Sequence, residues 1–371
     1  MSVHRQARPA ARTLQAGTHG REIRALSFNG RYLATGAEDT SIRIWEYDDD
    51  GDDDDDAGPG PGRAPRTRHL ACIKAHVAGI QQLRWLGRDR LFSSAGNVEF
   101  FVWRVRTLDS SYRGLAVACE GVFGDKSAIE DLRIVDFAVD AERGPATAGT
   151  LVTMALSNST LRTYRYWPDG RFEPLARGRY TGACLTQVRH LDHGDDGLSV
   201  VTASTDGHVA LWETRGRGSA TQSYGMTQVA RAHQSSIKGL DMARDEGGRY
   251  RIMTGGDDNA IGIAVVGRAE NGRGYGFLRR GVARSAHAAA VTGVALLGRH
   301  DDEGGVLGVS VSNDQRVRLW RLDAGGGGGV ELVRSARSGV ADPGGVALMG
   351  PGRIVIGGVG VEVWSWRRAA P

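Results

Sequence analysis

The chain has 371 residues and a formal net charge of +4, and 40% of its residues are hydrophobic. This is the composition of a globular protein, and no apolar run approaches the roughly 18 residues of a transmembrane helix. The three cysteines (Cys72, Cys119 and Cys184) are widely spaced and odd in number; they form no metal-binding spacing and favour a reducing compartment, so we expect a cytoplasmic protein with no metal and no cofactor.

The clearest local signal is the hairpin from Thr202 to Trp212, in which a turn at Asp206-Gly207 separates two β-rich runs. The pattern recurs along the chain at intervals of 44 to 61 residues. A unit of roughly 40–45 residues plus variable loops is typical of propeller blades. The sequence therefore predicts an all-β, seven-bladed WD-repeat propeller with four-stranded antiparallel blades. The anchors that define repeats one to seven are Trp45, Trp103, Tyr164, Trp212, Ala264, Trp320 and Trp364.

In chain order, residues 1–11 are predicted to be a disordered lead and residues 12–367 a single propeller. A lone strand at 13–16 is predicted to pair beside 361–366 and close the ring, because an unpaired edge strand is a liability. Two interruptions are predicted within the propeller. Residues 48–68, with eight aspartates and a Gly/Pro stretch, form a disordered loop, and residues 325–329 form a glycine linker.

The later repeats depart from the pattern. Repeat three is degenerate, with Tyr164 and Asn158 at the Trp and Asp positions. Repeat five has Ala264 in place of the Trp, and we expect a long Arg/Gly loop after it, from 267 to 281. Repeat seven lacks both the His and the Asp.

Within the repeats a Ser or Thr, an Asp and a Trp stand at fixed offsets, with a His upstream. These residues resemble the internal hydrogen-bond ladder of WD-repeat propellers, in which a buried His links the hydroxyl to the Asp. We predict a structural role and no catalytic residue, since the set repeats in several blades and an active site would not. The predicted ladder residues are His76, Ser93, Trp103, Thr202, Asp206, Trp212, His233, Thr254, Asp258, His287, Ser310, Asp314 and Trp320.

Two other kinds of site find little support in the sequence. The pair His190 and His193 has a metal-like spacing, but no further ligand stands nearby. Another class of function to consider is an enzyme with its active site in the central channel of the propeller. The strands expected to line the channel, such as 23–26 and 291–294, carry no cluster of carboxylates or histidines.

Stretches outside the repeat pattern resemble the C-terminal propeller of the WD-repeat-protein-six family, especially its fungal members, over residues 19–366. The stretches are 76–85, 92–96, 99–103, 131–137, 176–187, 233–238, 312–317 and 358–364. The resemblance implies a non-catalytic subunit that partners an FtsJ-type methyltransferase, which 2′-O-methylates the wobble nucleotide of certain tRNAs. Family members are usually longer, with further propellers upstream. The alternative is a generic WD-repeat adaptor in a ubiquitin ligase, trafficking or chromatin complex.

The repeat order predicts two faces of different charge. The turns entering the inner strands form a neutral-to-acidic face suited to a protein partner. Its predicted residues are Glu22, Glu38, Asp131, Thr205, Ser236, Asp257 and Asn313.

The connections after the Trp strands form a basic rim, with Arg215, Arg217, Arg279 and Arg280 as candidate contacts to RNA phosphates. Three lysines stand against 44 arginines, and a GC-rich genome is the alternative explanation of that richness. The predicted partners are the methyltransferase and tRNA, with no membrane and no small-molecule substrate.

Overall fold

The protein is described by a computed structural model over twelve ranges of the chain. These are 10–14, 18–48, 66–108, 114–124, 132–141, 149–191, 197–215, 221–269, 274–300, 306–322, 329–350 and 352–365. The described residues form 27 strands and no helix. The predicted all-β class is therefore confirmed. Among these residues no helix has the length and apolar character needed to cross a membrane.

Four of the seven repeats form separate four-stranded sheets, in which each strand pairs with the next in the chain. Repeat one contains β2 (Ile23–Phe28), β3 (Tyr32–Ala37), β4 (Ile42–Asp48) and β5 (Arg66–Ile73). Repeat two contains β6 (Ile80–Leu86), β7 (Arg90–Ala95), β8 (Phe100–Thr107) and β9 (Leu115–Phe123). Repeat five contains β18 (Ile237–Arg244), β19 (Tyr250–Gly256), β20 (Ile261–Arg268) and β21 (Tyr275–Ala283). Repeat six contains β22 (Val291–His300), β23 (Val306–Ser312), β24 (Arg316–Leu322) and β25 (Val330–Arg337).

Repeats three and four share one eight-stranded sheet. Repeat three contains β10 (Ile134–Ala141), β11 (Thr150–Leu156), β12 (Thr160–Tyr166) and β13 (Phe172–Arg179). Repeat four contains β14 (Leu185–His190), β15 (Ser199–Ser204), β16 (His208–Arg215) and β17 (Gln222–Arg231). The two groups join through a short parallel pairing of their outermost strands, Ala176 with Gln222 and Arg177 with Ser223.

The last sheet joins the two ends of the described chain. Its strands are β1 (Ala10–Leu14), β26 (Ala341–Leu348) and β27 (Arg353–Ser365). The first half of β27 pairs with β26, and the second half, which contains Trp364, pairs antiparallel with β1. Between the halves Gly360 has a φ of +109°, which a residue with a side chain rarely adopts. The N-terminal strand thus pairs where it was expected to, but it spans 10–14 rather than 13–16.

The core lies between neighbouring groups of strands. Each of seven hydrophobic clusters takes its residues from two consecutive repeats. One cluster joins Ile23 and Leu33 of repeat one to Val355 and Val361 of repeat seven. The apolar faces therefore pack around a closed ring, which is how a repeat architecture buries strands that could not bury themselves.

Several predictions differ from the structure in detail. The described residues form six sheets, of which one has eight strands and one has three. The prediction of seven separate four-stranded blades is therefore confirmed only in part. Residues 10–11 belong to β1 rather than to the lead, and β5 begins at Arg66, inside the predicted loop. The predicted Arg/Gly loop at 267–281 is not one long loop, because β20 ends at Arg268 and β21 of the same repeat begins at Tyr275. Residues 1–9, 49–65 and 323–328 lie outside the described part.

Candidate interaction surfaces and the hydrogen-bond ladder

Repeat six contains the full set of ladder contacts. The Trp320 indole N–H donates to Ser310 Oγ at 2.8 Å, and His287 Nε2 lies 2.7 Å from the same oxygen. His287 Nδ1 lies 3.0 Å from an Asp314 carboxylate oxygen. One consistent assignment has the hydroxyl donate to Nε2 and Nδ1–H donate to the carboxylate, with the imidazole neutral. Every polar atom in the chain of contacts then has a partner.

Repeats one, four and five hold the same contacts with local changes. In repeat one, Trp45 and His19 meet at Thr35 Oγ1, at 3.0 and 2.8 Å. In repeat four, Trp212 donates to Thr202 at 2.9 Å, and the Tyr180 hydroxyl takes the place of the imidazole and donates to Asp206 at 2.8 Å.

Repeat five lacks the indole but keeps the histidine contacts. His233 lies 2.9 Å from Thr254 and 2.8 Å from Asp258. The imidazole is 2% exposed, so it faces the sheet interior rather than a cleft.

Repeat two departs from the prediction in its carboxylate. His76 is buried and Nε2 lies 2.8 Å from Ser93, to which Trp103 donates at 2.8 Å. Its Nδ1 faces Glu99 at 3.1 Å, not the turn residue Asn97. Asn97 and Val98 both have left-handed φ values of 58° and 60°. Neither of these turn residues carries a carboxylate, and Glu99, the next residue, supplies the acceptor for His76.

Repeat seven has a substitute that sequence reasoning missed. Glu362 is 5% exposed and accepts from Ser338 Oγ at 2.8 Å, from the Gly339 amide at 2.8 Å and from the Trp364 indole at 3.0 Å. A single carboxylate thus holds the tryptophan without the His and Asp. The signal available in the sequence was a glutamate two residues before the Trp, in an otherwise apolar strand.

In repeat three a group of buried hydroxyls faces repeat four. Thr153 and Thr163 hydroxyls lie 2.7 Å apart. Thr163 contacts the Tyr224 hydroxyl, and Thr153 contacts His190 Nε2, each at 2.7 Å. Burial raises the pKa of Tyr224 to about 12, so this phenol stays protonated. These contacts lie where the two repeats share one sheet.

The titration behaviour of the ladder follows from burial. Burial lowers the pKa of His287 below its ordinary value, and this outweighs the opposite effect of Asp314. The same cause lowers the pKa of His19 and His76. Burial alone would raise the pKa of Asp39, but hydrogen bonds from Ser41, Gly20 and His19 bring it down to about 2. The lowered pKa values favour the neutral imidazole at His19, His76 and His287 and the ionised carboxylate at Asp39.

The residues of the predicted acidic face occupy equivalent points in the repeats. The same backbone hydrogen bond recurs from Glu38 to Glu22, from Thr205 to Cys184, from Asp257 to Ser236 and from Asn313 to Ala290. Asp131 lies outside the described residues.

The face is less acidic than predicted. Arg24 pairs with Glu38 and lies 3.9 Å from Glu22, and Lys238 lies 3.3 Å from Asp257. Sequence analysis had not placed these two cations on this face.

Three of the four arginines predicted for the basic rim, Arg215, Arg279 and Arg280, lie in strands. Arg279 and Arg280 are exposed neighbours inside β21, opposite Val265 and Ala264. Because successive side chains of a strand point to opposite faces, the two guanidinium groups do not share one surface. Arg215 is exposed at the end of β16, with its guanidinium over Gly225. Arg217 lies outside the described residues.

A cavity of about 350 Å³ opens among the inner strands of the repeats. Its cationic lining residues are Arg24, Arg84, Arg189 and Lys238. In the described ranges no three His, Cys, Asp or Glu side chains group in a way that would hold a metal ion. His193, one half of the metal-like pair, lies outside those ranges.

Comparisons with known proteins match this architecture. The family model for the WD domain, G-beta repeat, matches residues 11–46 and 177–213. In solved structures the fold is similar to the WD40 β-propeller domain of Doa1, with a TM-score of 0.58 and 15% identity over 97% of this chain and 96% of that one. It is also similar to the computationally designed Ika8 protein, with a TM-score of 0.54 and 16% identity over 95% and 98%. The chain therefore has a WD40 propeller fold.

The curated relatives share one description, tRNA (34-2′-O)-methyltransferase regulator WDR6. The rat protein is 26% identical over 266 residues, 62% of this chain and 23% of the relative. The bovine protein is 27% identical over 59% and 22%, and the human protein 25% identical over 59% and 22%. The chain thus spans less than a quarter of the length of these relatives. It combines a WD40 propeller fold with a distant sequence similarity to regulators of a tRNA methyltransferase.

Proposed function

We propose that this protein is a non-catalytic, seven-bladed WD-repeat scaffold that supports 2′-O-ribose methylation of the tRNA wobble nucleotide by binding an FtsJ-type methyltransferase. The observation that carries the proposal is the similarity to tRNA methyltransferase regulators over about three-fifths of the chain. It coincides with a fold that presents loops and strand edges on a closed ring. Propellers of this kind serve as platforms, and the fold alone does not choose the partner.

The ladder geometry supports a role without catalysis. A Ser or Thr, a His and an Asp meet in several repeats, as a hydrolytic triad would. Yet His76, His233 and His287 are 2–5% exposed, and each is engaged on both ring nitrogens. A nucleophile of this type needs access to a substrate carbonyl. These sets are satisfied inside the sheets and leave no group directed to a substrate.

The methyltransferase is assigned to the face that contains Glu22, Glu38, Thr205, Ser236, Asp257 and Asn313. Partly or fully exposed turn residues stand at equivalent points of repeats one, four, five and six, where one partner could contact several of them. The salt bridges of Arg24 and Lys238 make this surface mixed in charge, which suits a protein partner better than a purely acidic ring would.

The proposal is tested by affinity purification of the tagged full chain from its native organism. We expect an FtsJ-type methyltransferase to co-purify, and we expect Glu38→Arg combined with Asp257→Arg to reduce its recovery. Replacing two exposed rim residues, Arg279→Gln with Arg280→Gln, is the matched control and leaves recovery unchanged. Recovery of ubiquitin-ligase, trafficking or chromatin subunits without a methyltransferase would replace this proposal with the generic adaptor.

Contact with tRNA along the rim is a separate part of the proposal. Charge reversal of Arg215, Arg217, Arg279 and Arg280 together is expected to weaken tRNA binding and to flatten its salt dependence, because each lost phosphate contact lowers the slope by roughly 0.7–0.9. Electrophoretic mobility shifts at several salt concentrations measure this. Unchanged affinity at low salt would show that the rim is solvated surface, as a GC-rich composition alone would produce.

A further inference from the structure

A repeated bulge directs six side chains into the central cavity. In six inner strands the register with the next strand shifts at the same point, between Ile23 and Ala25 in repeat one and at the matching pairs in repeats two to six. A β-bulge re-aims the residue that it leaves unpaired. The skipped residues all line the cavity, and they are Arg24, Gln81, Val135, Thr186, Lys238 and Thr292.

Two more arginines, Arg84 and Arg189, line the same cavity, and one buried carboxylate contacts both of them. Asp136 is fully buried and contacts Arg84 at 3.3 Å and Arg189 at 2.6 Å. It also accepts from Gln82 at 3.1 Å and from the Val188 amide at 2.9 Å. The two guanidinium groups are therefore fixed in place across repeats two, three and four. Both stay partly open to the cavity, with side chains 23% and 19% exposed.

The cavity wall presents donors and positive charge. Four cations line it, and none of its described lining residues is Asp or Glu. The carboxylates that pair with these cations, Asp136, Glu22, Glu38 and Asp257, are not among the lining residues. Thr186 Oγ1 is buried and has no hydrogen-bond partner among the described residues, although its side chain lines the cavity.

Inside the ring the guanidinium groups of Arg84 and Arg189 lie on the same carboxylate and affect each other's charge. Burial and the neighbouring Arg189 lower the pKa of Arg84 to about 10, against the opposing effects of Asp136 and Asp241. Two guanidinium groups that share one carboxylate repel each other, and an anion between them and the mouth cations would offset that repulsion. Charge-assisted hydrogen bonds from arginine to phosphate oxygens are among the stronger polar contacts in proteins.

We propose that the central cavity binds a small phosphorylated molecule, with Arg24, Lys238, Arg84 and Arg189 contacting phosphate oxygens and Thr186 donating a further hydrogen bond. The volume of about 350 Å³ is at the lower end of the range for small-molecule sites. This ligand is distinct from the proposed partners, and the inference does not depend on them.

The test uses the full chain and pyrophosphate as the probe, with inorganic phosphate and sulfate as comparisons at constant ionic strength. Isothermal titration calorimetry is expected to show saturable binding of pyrophosphate, tighter than that of sulfate, and pyrophosphate is expected to raise Tm. The variant Arg24→Gln with Lys238→Gln leaves the buried Asp136 contacts intact, so it is expected to fold. Its Kd is expected to rise at least about tenfold.

The matched control is Arg177→Gln with Arg179→Gln, which removes the same charge from two exposed positions of the outer strand β13 and is expected to bind pyrophosphate like the original chain. The addition of Thr186→Val tests the hydroxyl, with a further rise in Kd expected. The proposal is overturned if pyrophosphate binds no more tightly than sulfate or if the control loses binding as much as the cavity variant. It is also overturned if the cavity variant loses binding to an oligoribonucleotide while the original chain does not bind pyrophosphate.

Discussion

Repeats five and six differ at the tryptophan position and otherwise share their ladder. Repeat six has Trp320 over Ser310, whereas repeat five has Ala264 near Thr254. The contacts from the imidazole are nearly the same, 2.7 Å in repeat six and 2.9 Å in repeat five. The indole is therefore not needed to position the histidine. Its part is to fill volume and to donate a hydrogen bond to the hydroxyl oxygen, which itself donates to the imidazole.

The packing around Ala264 shows how much empty space remains where repeat five lacks the indole. A cavity of about 30 Å³ remains there, between Ala264, Ile263 and Phe277, with Arg280 at its edge. This is far smaller than an indole, so the surrounding side chains occupy most of the space that the ring would fill. A core built around a small residue can close in this way, whereas a core built around a large one does not fully relax when that residue is removed.

The largest expected effect is that of Trp320→Ala. Trp320 is 4% exposed, and replacement by Ala is expected to lower the free energy of unfolding by about 3–5 kcal/mol, because a packed site relaxes only in part. Urea denaturation measures the loss. Arg321→Ala, at the next position of the strand, is the control and should cost much less. A loss below about 1 kcal/mol would mean that the two repeats do not differ in the way described.

A smaller effect is expected from removal of the shared hydroxyl. Ser310→Ala leaves His287 Nε2 and the Trp320 indole N–H without their shared partner, so we expect a total cost of about 1–3 kcal/mol. Thr254→Val, which keeps the side-chain shape, leaves only His233 and is expected to cost less. Chemical denaturation of both variants, side by side, gives the ranking. Equal costs would contradict the role of the indole as a hydrogen-bond donor to the shared hydroxyl.

Acid is expected to weaken repeat six through His287. Burial lowers the pKa of His287 in the folded chain below 6.5, so the unfolded chain binds the proton more readily. The stability contribution is then complete above pH 6.5 and is lost as pH falls through the folded pKa. Asp314, whose pKa is also lowered by its hydrogen bonds against the effect of burial, adds a loss below pH 3.8.

Denaturation midpoints measured between pH 8 and pH 5 check this behaviour. His287→Gln is expected to be less stable at pH 8 and to lose less stability on acidification than the original chain. His19 and His76 contribute a slope of the same sign, so the slope is reduced and does not vanish. A slope as steep as that of the original chain would show that His287 is not held neutral.

The smallest effect is expected at the cavity in repeat five. Ala264→Val adds two methyl groups beside the space of about 30 Å³, and at ~24 cal/mol per Å³ its filling gains at most about 0.7 kcal/mol. A small rise in Tm is the expected result. A clear loss of stability would mean that the site is already closed and cannot accept a larger side chain.

Repetition is what made the fold predictable. Hairpins with Asp-Gly turns and Trp anchors recur, so the register of one repeat predicts that of the others, and the ladder of repeats five and six follows from offsets. The joining of repeats three and four was not predictable, because it depends on a short parallel pairing of Ala176 with Gln222 and Arg177 with Ser223, which no repeat offset indicates. Glu99 and Glu362 were missed because each takes over the role of the ladder Asp from a sequence position outside the repeat offsets.

The surfaces were harder to predict than the core. The cavity cations come from bulges, which change side-chain direction without a signal in the repeat offsets. Arg24 and Lys238 therefore looked like ordinary strand residues in the sequence. Arg279 and Arg280 were assigned to a loop because glycines surround them, whereas the strand begins at Tyr275.

The central claim, a scaffold for tRNA ribose methylation, is tested most directly by the modification itself. Mass spectrometry of tRNA from a strain of the native organism that lacks this protein is expected to show loss of the 2′-O-methyl group at nucleotide 34. Expression of the original chain is expected to restore it, and so is His287→Gln at a permissive temperature, because that histidine only supports the fold. Unchanged methylation at nucleotide 34 in the deletion strain would contradict the account.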